Sequence, residues 1–322
     1  MTFPFDRDDP ESAIAEMASR CSNWGRWGPD DVRGTLNHLD DAKRREAAAS
    51  VRRGAVFSLA QAFDMNGPQK GWRRRTNPVH TMLDTGTDAA AGTQGFPHGI
   101  GGADDVVSMP LQCSTQWDGL GHIFDHGRAW NGRPSGEVVT SDGDLVTGIE
   151  TVADGFTGRA VLLDAGRALG EDGELPDGFA LTEQHLTEVI AQQGVQVGRG
   201  DIVLVRTGQL TRVRRDGWGD YAGGPAPGLS FTTAEWLQRT EIAAIATDTW
   251  GFEVRPNEFH DAFQPLHQIA IPHIGLFIGE MWDLDALAAD CCADGRYDCF
   301  LTAAPIPVTG AVGAPVNPIA VK

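Results

Sequence analysis

Between residues 159 and 308, short apolar runs alternate with helical patterns, and this alternation restricts the chain to few architectures. AVLLDA (160–165), DIVLVRT (201–207), IAAIAT (242–247) and CFLTAAPIPV (299–308) have the length and β-branched content of buried strands. LTEQHLTEVIAQQG (181–194) places Leu181, Leu186, Val189 and Ile190 on one helical face and stops at Gly194. Thr232 and Glu235 have capping-box spacing ahead of TAEWLQR, and a further helix is expected near 283–290. Strands and helices in turn predict an α/β or mixed α+β fold, with helices packed on a mixed sheet. No glycine-rich phosphate loop joins a strand to a helix, so neither a dinucleotide nor a P-loop site is expected.

The N-terminal half is less regular. Residues 1–39, with Trp24, Trp27 and Asn37, read as a packed arm of low helix propensity. DDAKRREAAASVRR (40–53) reads as a helix with an Asp start, a basic end and Gly54 as its stop, and VFSLAQAF as a strand. Residues 66–103 are polar and glycine-rich and read as a long loop. The run Arg73–Arg75 there is either solvated or part of a flap bringing positive charge to a site. The 40 glycines and 18 prolines are dispersed and no repeat is seen, so residues 1–322 are expected to form a single domain.

Charge excludes some functions. Lys and Arg total 26 against 44 Asp and Glu, a net charge of −18, which argues against nucleic-acid binding and against docking on anionic membranes. The longest apolar run, Ile269–Gly279, is too short to span a bilayer. No secretory signal is seen, and the five cysteines form no C-x-x-C pair, so a cytoplasmic protein is expected.

Three stretches could carry chemistry. In LQCSTQWDGLGHIFDHG (111–127), extended backbone would put Gln112, Ser114, Gln116 and Asp118 on one face and Leu111, Cys113, Thr115 and Trp117 on the other. Gly119 and Gly121 would let His122 fold back toward Asp118, with His126 nearby. This is either a metal or acid–base site, or a polar turn closed by an Asp–His hydrogen bond. Residues 260–288 offer His260, His267, His273 and Glu280 among apolar neighbours, where ionised Glu280 would require a partner. Residues 246–260 follow a buried strand and offer Asp248, Trp250, Glu253 and Arg255, either as a pocket wall or as a turn with a Glu253–Arg255 pair. Trp117, Trp250 and Trp72 are candidates for an aromatic wall around a flat substrate. No G-x-S-x-G elbow is present, which disfavours a serine esterase.

In these residues the chain resembles the cyclase family of metal-dependent hydrolases, which includes bacterial kynurenine formamidase and isatin hydrolase. The family signature is H-x-G-T-H-x-D-x-P-x-H; this chain has Q-C-S-T-Q-W-D-G-L-G-H from Gln112 to His122. Thr115, Asp118 and His122 match, while Gln112 and Gln116 occupy the places of the two metal-binding histidines. The later family element H-x11-E resembles His267 to Glu280, which is one residue longer. Asp248-Thr249-Trp250-Gly251 resembles the family's turn after a strand, and GDIVLVRTG (200–208) the family's strand before its central turn.

The resemblance implies a swivelling β/β/α fold and a homodimer or homotetramer. It implies one divalent ion, manganese or zinc, on Asp118, His267 and Glu280, with Gln116 as a possible fourth ligand and His273 as an alternative. His122 takes the general acid/base place beside Asp118, and Gln112, Trp117, Trp250 and His126 become substrate contacts. The implied reaction is hydrolysis of a cyclic or aryl amide, imide, formamide or lactone. The alternatives are a metal-free binding protein, or a lyase or isomerase, on a scaffold that has lost both signature histidines.

Overall fold

The computed structural model describes residues 3–322. Nine strands form one sheet: β1 (Val56–Ser58), β2 (Gln116–Asp118), β3 (Thr157–Asp164), β4 (Ile202–Arg206), β5 (Ala244–Thr247), β6 (Phe277–Glu280), β7 (Asp298–Thr302), β8 (Gly313–Pro315) and β9 (Ile319–Val321). Their order is β1-β9-β7-β3-β4-β5-β6-β2-β8. The centre, β3 to β6, is parallel, and the strands flanking it on either side are antiparallel. This is the mixed α/β architecture expected from the alternating pattern.

The central strands are mostly apolar because both of their faces are covered, as parallel sheets require. Val161, Leu163, Val203, Val205, Ile245 and Ile278 point into one core, against the helices Pro10–Cys21, Glu183–Gln193 and Pro265–Ile269. The alternate residues Leu162, Ile202, Leu204, Ala246 and Phe277 point into a second core with Trp117, Phe156, Trp282 and Leu39. The period-2 geometry of a strand thus divides one apolar run between two cores.

Most expected elements are present with shifted ends. The helix read at 40–53 runs Asp41–Ala49, with the Asp40 carboxylate accepting the Lys43 N–H at 2.9 Å. The helix read at 181–194 runs Glu183–Gln193, and Gly194 closes it at φ 62°.

Several readings need correction. The N-terminal arm contains a helix, Pro10–Cys21, capped by Asp9 and burying Ala13, Ile14, Met17, Ala18 and Cys21. Thr232 and Glu235 form no capping box: Ser230 caps the preceding turn at Thr232, and Glu235 pairs with Arg20 at 3.1 Å. The region 66–103 is not wholly irregular, because Val79–Asp84 pairs antiparallel with Asp104–Ser108 in an exposed hairpin. Extended structure in the 111–118 stretch is confined to Gln116–Asp118, residues 111–115 forming turns and bends.

All five cysteines are free, and all but Cys292 are buried, which fits their use as small apolar side chains. Among the described residues no helix is long and apolar enough to cross a membrane.

Candidate metal centre

The site lies where β2 runs antiparallel to β6. Register pairs Glu280 with Gln116 and Ile278 with Asp118, so these side chains share one face of the sheet. That face belongs to the core covered by the helix Pro265–Ile269, which delivers His267. Between His267 and Glu280 the chain winds as a π-helix, Ala270–Ile274, and reverses at Gly275. This π-turn lies within the stretch that separates the two side chains, and they still meet.

Ligand atoms of Asp118, His267 and Glu280 all lie within 4.8 Å of one another. Each residue is at most 2% exposed. The His267 Nε2–Glu280 Oε1 distance is 3.2 Å. On the other side of the ring, Nδ1 meets Glu253 Oε1 at 2.6 Å. Glu253 also accepts the backbone N–H groups of Leu266 and His267 at 3.0 and 2.9 Å. A carboxylate thus fixes the rotation of the imidazole and aims Nε2 into the cluster, the usual support of a metal-bound histidine. From sequence, Glu253 is expected as a pocket wall or as the partner of Arg255. Arg255 instead donates to the carbonyls of Gly223 and Gly224, so the Glu253–Arg255 pair does not form.

Glu280 is held by the backbone that follows it. Met281 has φ 58°, a left-handed conformation that a bulky side chain rarely adopts. It persists because its N–H donates to Thr249 O at 2.9 Å, while its carbonyl accepts from Thr115 Oγ1 at 2.6 Å and from Gln61 Nε2 at 2.9 Å. Thr115, one of the signature residues, acts here as a brace.

The electrostatics follow from burial. Burial raises the Asp118 pKa, and the Glu280 charge adds to the rise while His122 opposes it. Burial alone would lower the His267 pKa, but hydrogen bonds to Glu253 and Glu280 push it up to about 10. His122 Nε2 stands 3.7 Å from Asp118 Oδ1. Burial pushes its imidazole down to about 4, Asp118 opposing and Arg75 and Arg73 assisting, so at neutral pH it is an uncharged base.

The residues present fit a divalent cation. Two buried carboxylates and an oriented imidazole suit zinc or manganese. Gln116 Nε2 donates to Asp118 Oδ1 at 3.2 Å and to Glu280 Oε2 at 3.0 Å. Its Oε1 is buried without a partner, so an amide flip would turn a spare oxygen toward the carboxylates that Nε2 now faces.

Other expected site residues lie elsewhere. Trp117 points to the opposite face of β2, fully buried, stacked on Phe156 at 4.6 Å and bonded to Ala303 O. It is a core residue and not a substrate contact. His126 is exposed and pairs with Asp125 and Glu11, outside the site. His273 pairs with Asp125 at 2.7 Å and stacks on Trp24, so it is not the alternative ligand. His260 pairs with Asp8 on the surface. Gln112 packs beside Gly313 with its Nε2 buried and unpartnered, and no hydrogen bond joins it to Asp118 or Glu280. Asp248 is a clamp: its carboxylate accepts Thr207 N–H and Oγ1 and the Gly208 N–H at 2.7–2.8 Å, locking the ends of β4 and β5 together. Trp250 and Trp72 do meet, edge to face with centroids 4.9 Å apart.

A family model described as "Putative cyclase" matches residues 35–254. The chain therefore belongs to the cyclase family. The match contains Asp118, His122 and Glu253, and His267 and Glu280 lie beyond it. A crystal structure described as a novel cyclase is 39% identical, covers 94% of this chain and all of its own, and superposes with a TM-score of 0.86. Isatin hydrolase A from Labrenzia aggregata, bound to benzyl benzoate, is 19% identical over 85% of this chain and 94% of its own, with a TM-score of 0.59. A structure described as a potential metal-dependent hydrolase with cyclase activity is 15% identical over 83% of this chain and 98% of its own, with a TM-score of 0.51. The last two share the fold. Comparison with curated protein sequences finds no match.

Proposed function

We propose that the protein is a metal-dependent hydrolase of a cyclic or aryl amide, imide, formamide or lactone. The observation that carries this reading is the convergence of Asp118, His267 and Glu280 in one buried cluster. These three would hold one manganese or zinc ion, with Gln116 Oε1 as a further oxygen. When bound, the ion supplies Lewis acidity, polarising a carbonyl and acidifying water. The solved relatives described as isatin hydrolases and as a metal-dependent hydrolase support the same chemistry.

The chain's own groups divide the work. Asp118 and Glu280 concentrate negative charge that a divalent cation would relieve. Glu253 keeps the His267 ring turned toward them. Neutral His122, beside Asp118, takes a proton from the attacking water and returns it to the leaving nitrogen or oxygen. Trp72 and Trp250 offer the flat apolar wall. The test is a panel of lactones, cyclic imides and aryl formamides, assayed after chelation and again after adding Mn²⁺ or Zn²⁺. Metal-restored turnover is expected. His122→Ala should retain its metal and lose about 10²-fold or more in turnover.

One observation favours a second reading, a metal-free binding protein or a lyase or isomerase: glutamine at 112 and 116 in place of the signature histidines. A metal-independent activity, unchanged by chelation, would select it. We further propose a cytoplasmic homodimer or homotetramer. Support comes from the hairpin of Val79–Asp84 and Asp104–Ser108, which exposes Val79, Met82, Leu83, Val106 and Val107 and has two free edges.

A further inference from the structure

Arginines in the interior of this acidic protein are paired at Arg206, held by Asp164 and Asp285, and at the half-buried Arg159, held by Asp201 and Asp298. Two arginines beside the candidate metal centre break the pattern. Arg75 is 8% exposed, and its guanidinium lies over the ring of Trp250, 5.3 Å from the centroid. Among the described residues that guanidinium makes no hydrogen bond and no ion pair, leaving five donors uncommitted. Arg255 reaches the Trp72 and Phe263 rings at 5.9 and 5.7 Å. Its Nη1 is buried with no partner, although Nε and Nη2 are bonded to backbone carbonyls.

The two are neighbours through the aromatics. Trp72 touches Trp250 at 4.9 Å and Phe263 at 5.4 Å between centroids, so the rings form one wall with a guanidinium on each part. Phe263 is 50% exposed and Trp250 2%, so the wall runs from surface to interior. The charges reach the metal cluster: Arg75 acts on Asp118 and His122, and Arg255 on Glu253 and Glu280. Arg73, at φ 49°, extends the basic edge and acts on Asp118 and Glu280.

The buried, unpaired Arg255 Nη1 is costly unless a ligand completes it, and the Arg75 guanidinium is free to receive one. The free planar fork of Arg75, with Arg255 Nη1 as a further donor, matches a carboxylate, and flat rings match an aryl frame. We propose that Arg75 and Arg255 form an anion subsite for the carboxylate of an aromatic substrate or product. The choice of acyl substrate rests on the hydrolase reading above; the subsite itself rests on the arginines and rings alone.

The test is calorimetric titration of the full-length protein, as purified and after EDTA treatment, with benzoate and with its neutral isostere benzamide. Benzoate is expected to bind about tenfold or more tighter than benzamide in both preparations. Arg75→Gln and Arg255→Gln should each weaken benzoate by about tenfold while moving benzamide by less than about twofold, and Arg75→Lys should fall between. Equal affinity of wild-type protein for the two probes would overturn the subsite, and that comparison stands even if a variant fails to fold. Parallel loss of both probes in the variants would also overturn it, by showing a structural role. A benzoate preference abolished by EDTA would assign the carboxylate to the metal instead, leaving the hydrolase reading intact. A preference that persists in a protein holding no metal would keep the subsite and remove the hydrolase.

Discussion

Glu253 decides more of the site's geometry than any ligand does, because it binds the His267 ring and the backbone N–H groups of Leu266 and His267 together. Glu253→Gln should therefore lower metal affinity by about 10–100-fold while leaving all ligands in place, measurable by competition with a chromophoric chelator. Asp125 allows a pH prediction away from the metal. Burial would raise its pKa, but hydrogen bonds from His273, Gln268 and His126 bring it down to about 2. A depressed carboxylate stabilises the fold above its ordinary value of 3.8 and loses that contribution as pH falls through the folded value. Asp125→Asn should cost about 1–2 kcal/mol at pH 6, allowing for solvent screening. The urea midpoints of variant and wild type should converge as the pH approaches that folded value.

At the scale of elements, what the sequence displays depends on whether a pattern is local. Of the central strands, β3, β4 and β5 are legible as short apolar runs, whereas β6 lies inside a longer apolar stretch that shows no strand boundary. The helix Pro10–Cys21 was missed although its signals are present: Asp9 as cap, Pro10 at the first turn, and Ala13, Ile14, Met17, Ala18 and Cys21 at helical spacing. Its weak hydrophobicity and the glycines that follow it drew the reading toward an arm. Within the site, Asp118, His122, His267 and Glu280 could be named from residue type and order. Glu253 could not be assigned its role, because its link to His267 is a tertiary contact across 14 residues. Trp117 was legible in one respect, because alternation puts it on the face opposite Asp118, against its candidacy as a pocket wall. The Asp248 clamp predicts that Asp248→Ala, by orphaning the Thr207 and Gly208 N–H groups, should destabilise the fold by about 2–4 kcal/mol in urea denaturation.

For the whole molecule, the charge of −18 and the buried carboxylates belong to separate balances. Surface acid solvates the protein and keeps it from polyanions. Asp118 and Glu280, at 1% and 2% exposure, cannot be solvated and must be compensated from within. The fold places this cluster near one edge of a two-sided sheet, where β2 and the helix Pro265–Ile269 converge on it. The central claim is that the compensating charge is a divalent ion held by Asp118, His267 and Glu280. Elemental analysis of protein purified without added metal addresses it most directly, alongside Asp118→Ala and His267→Ala. The account predicts about one equivalent of manganese or zinc per wild-type chain and a small fraction of that in each folded variant. Wild-type protein that holds no divalent ion, even after incubation with a panel of them, or variants that retain the full equivalent, would contradict it.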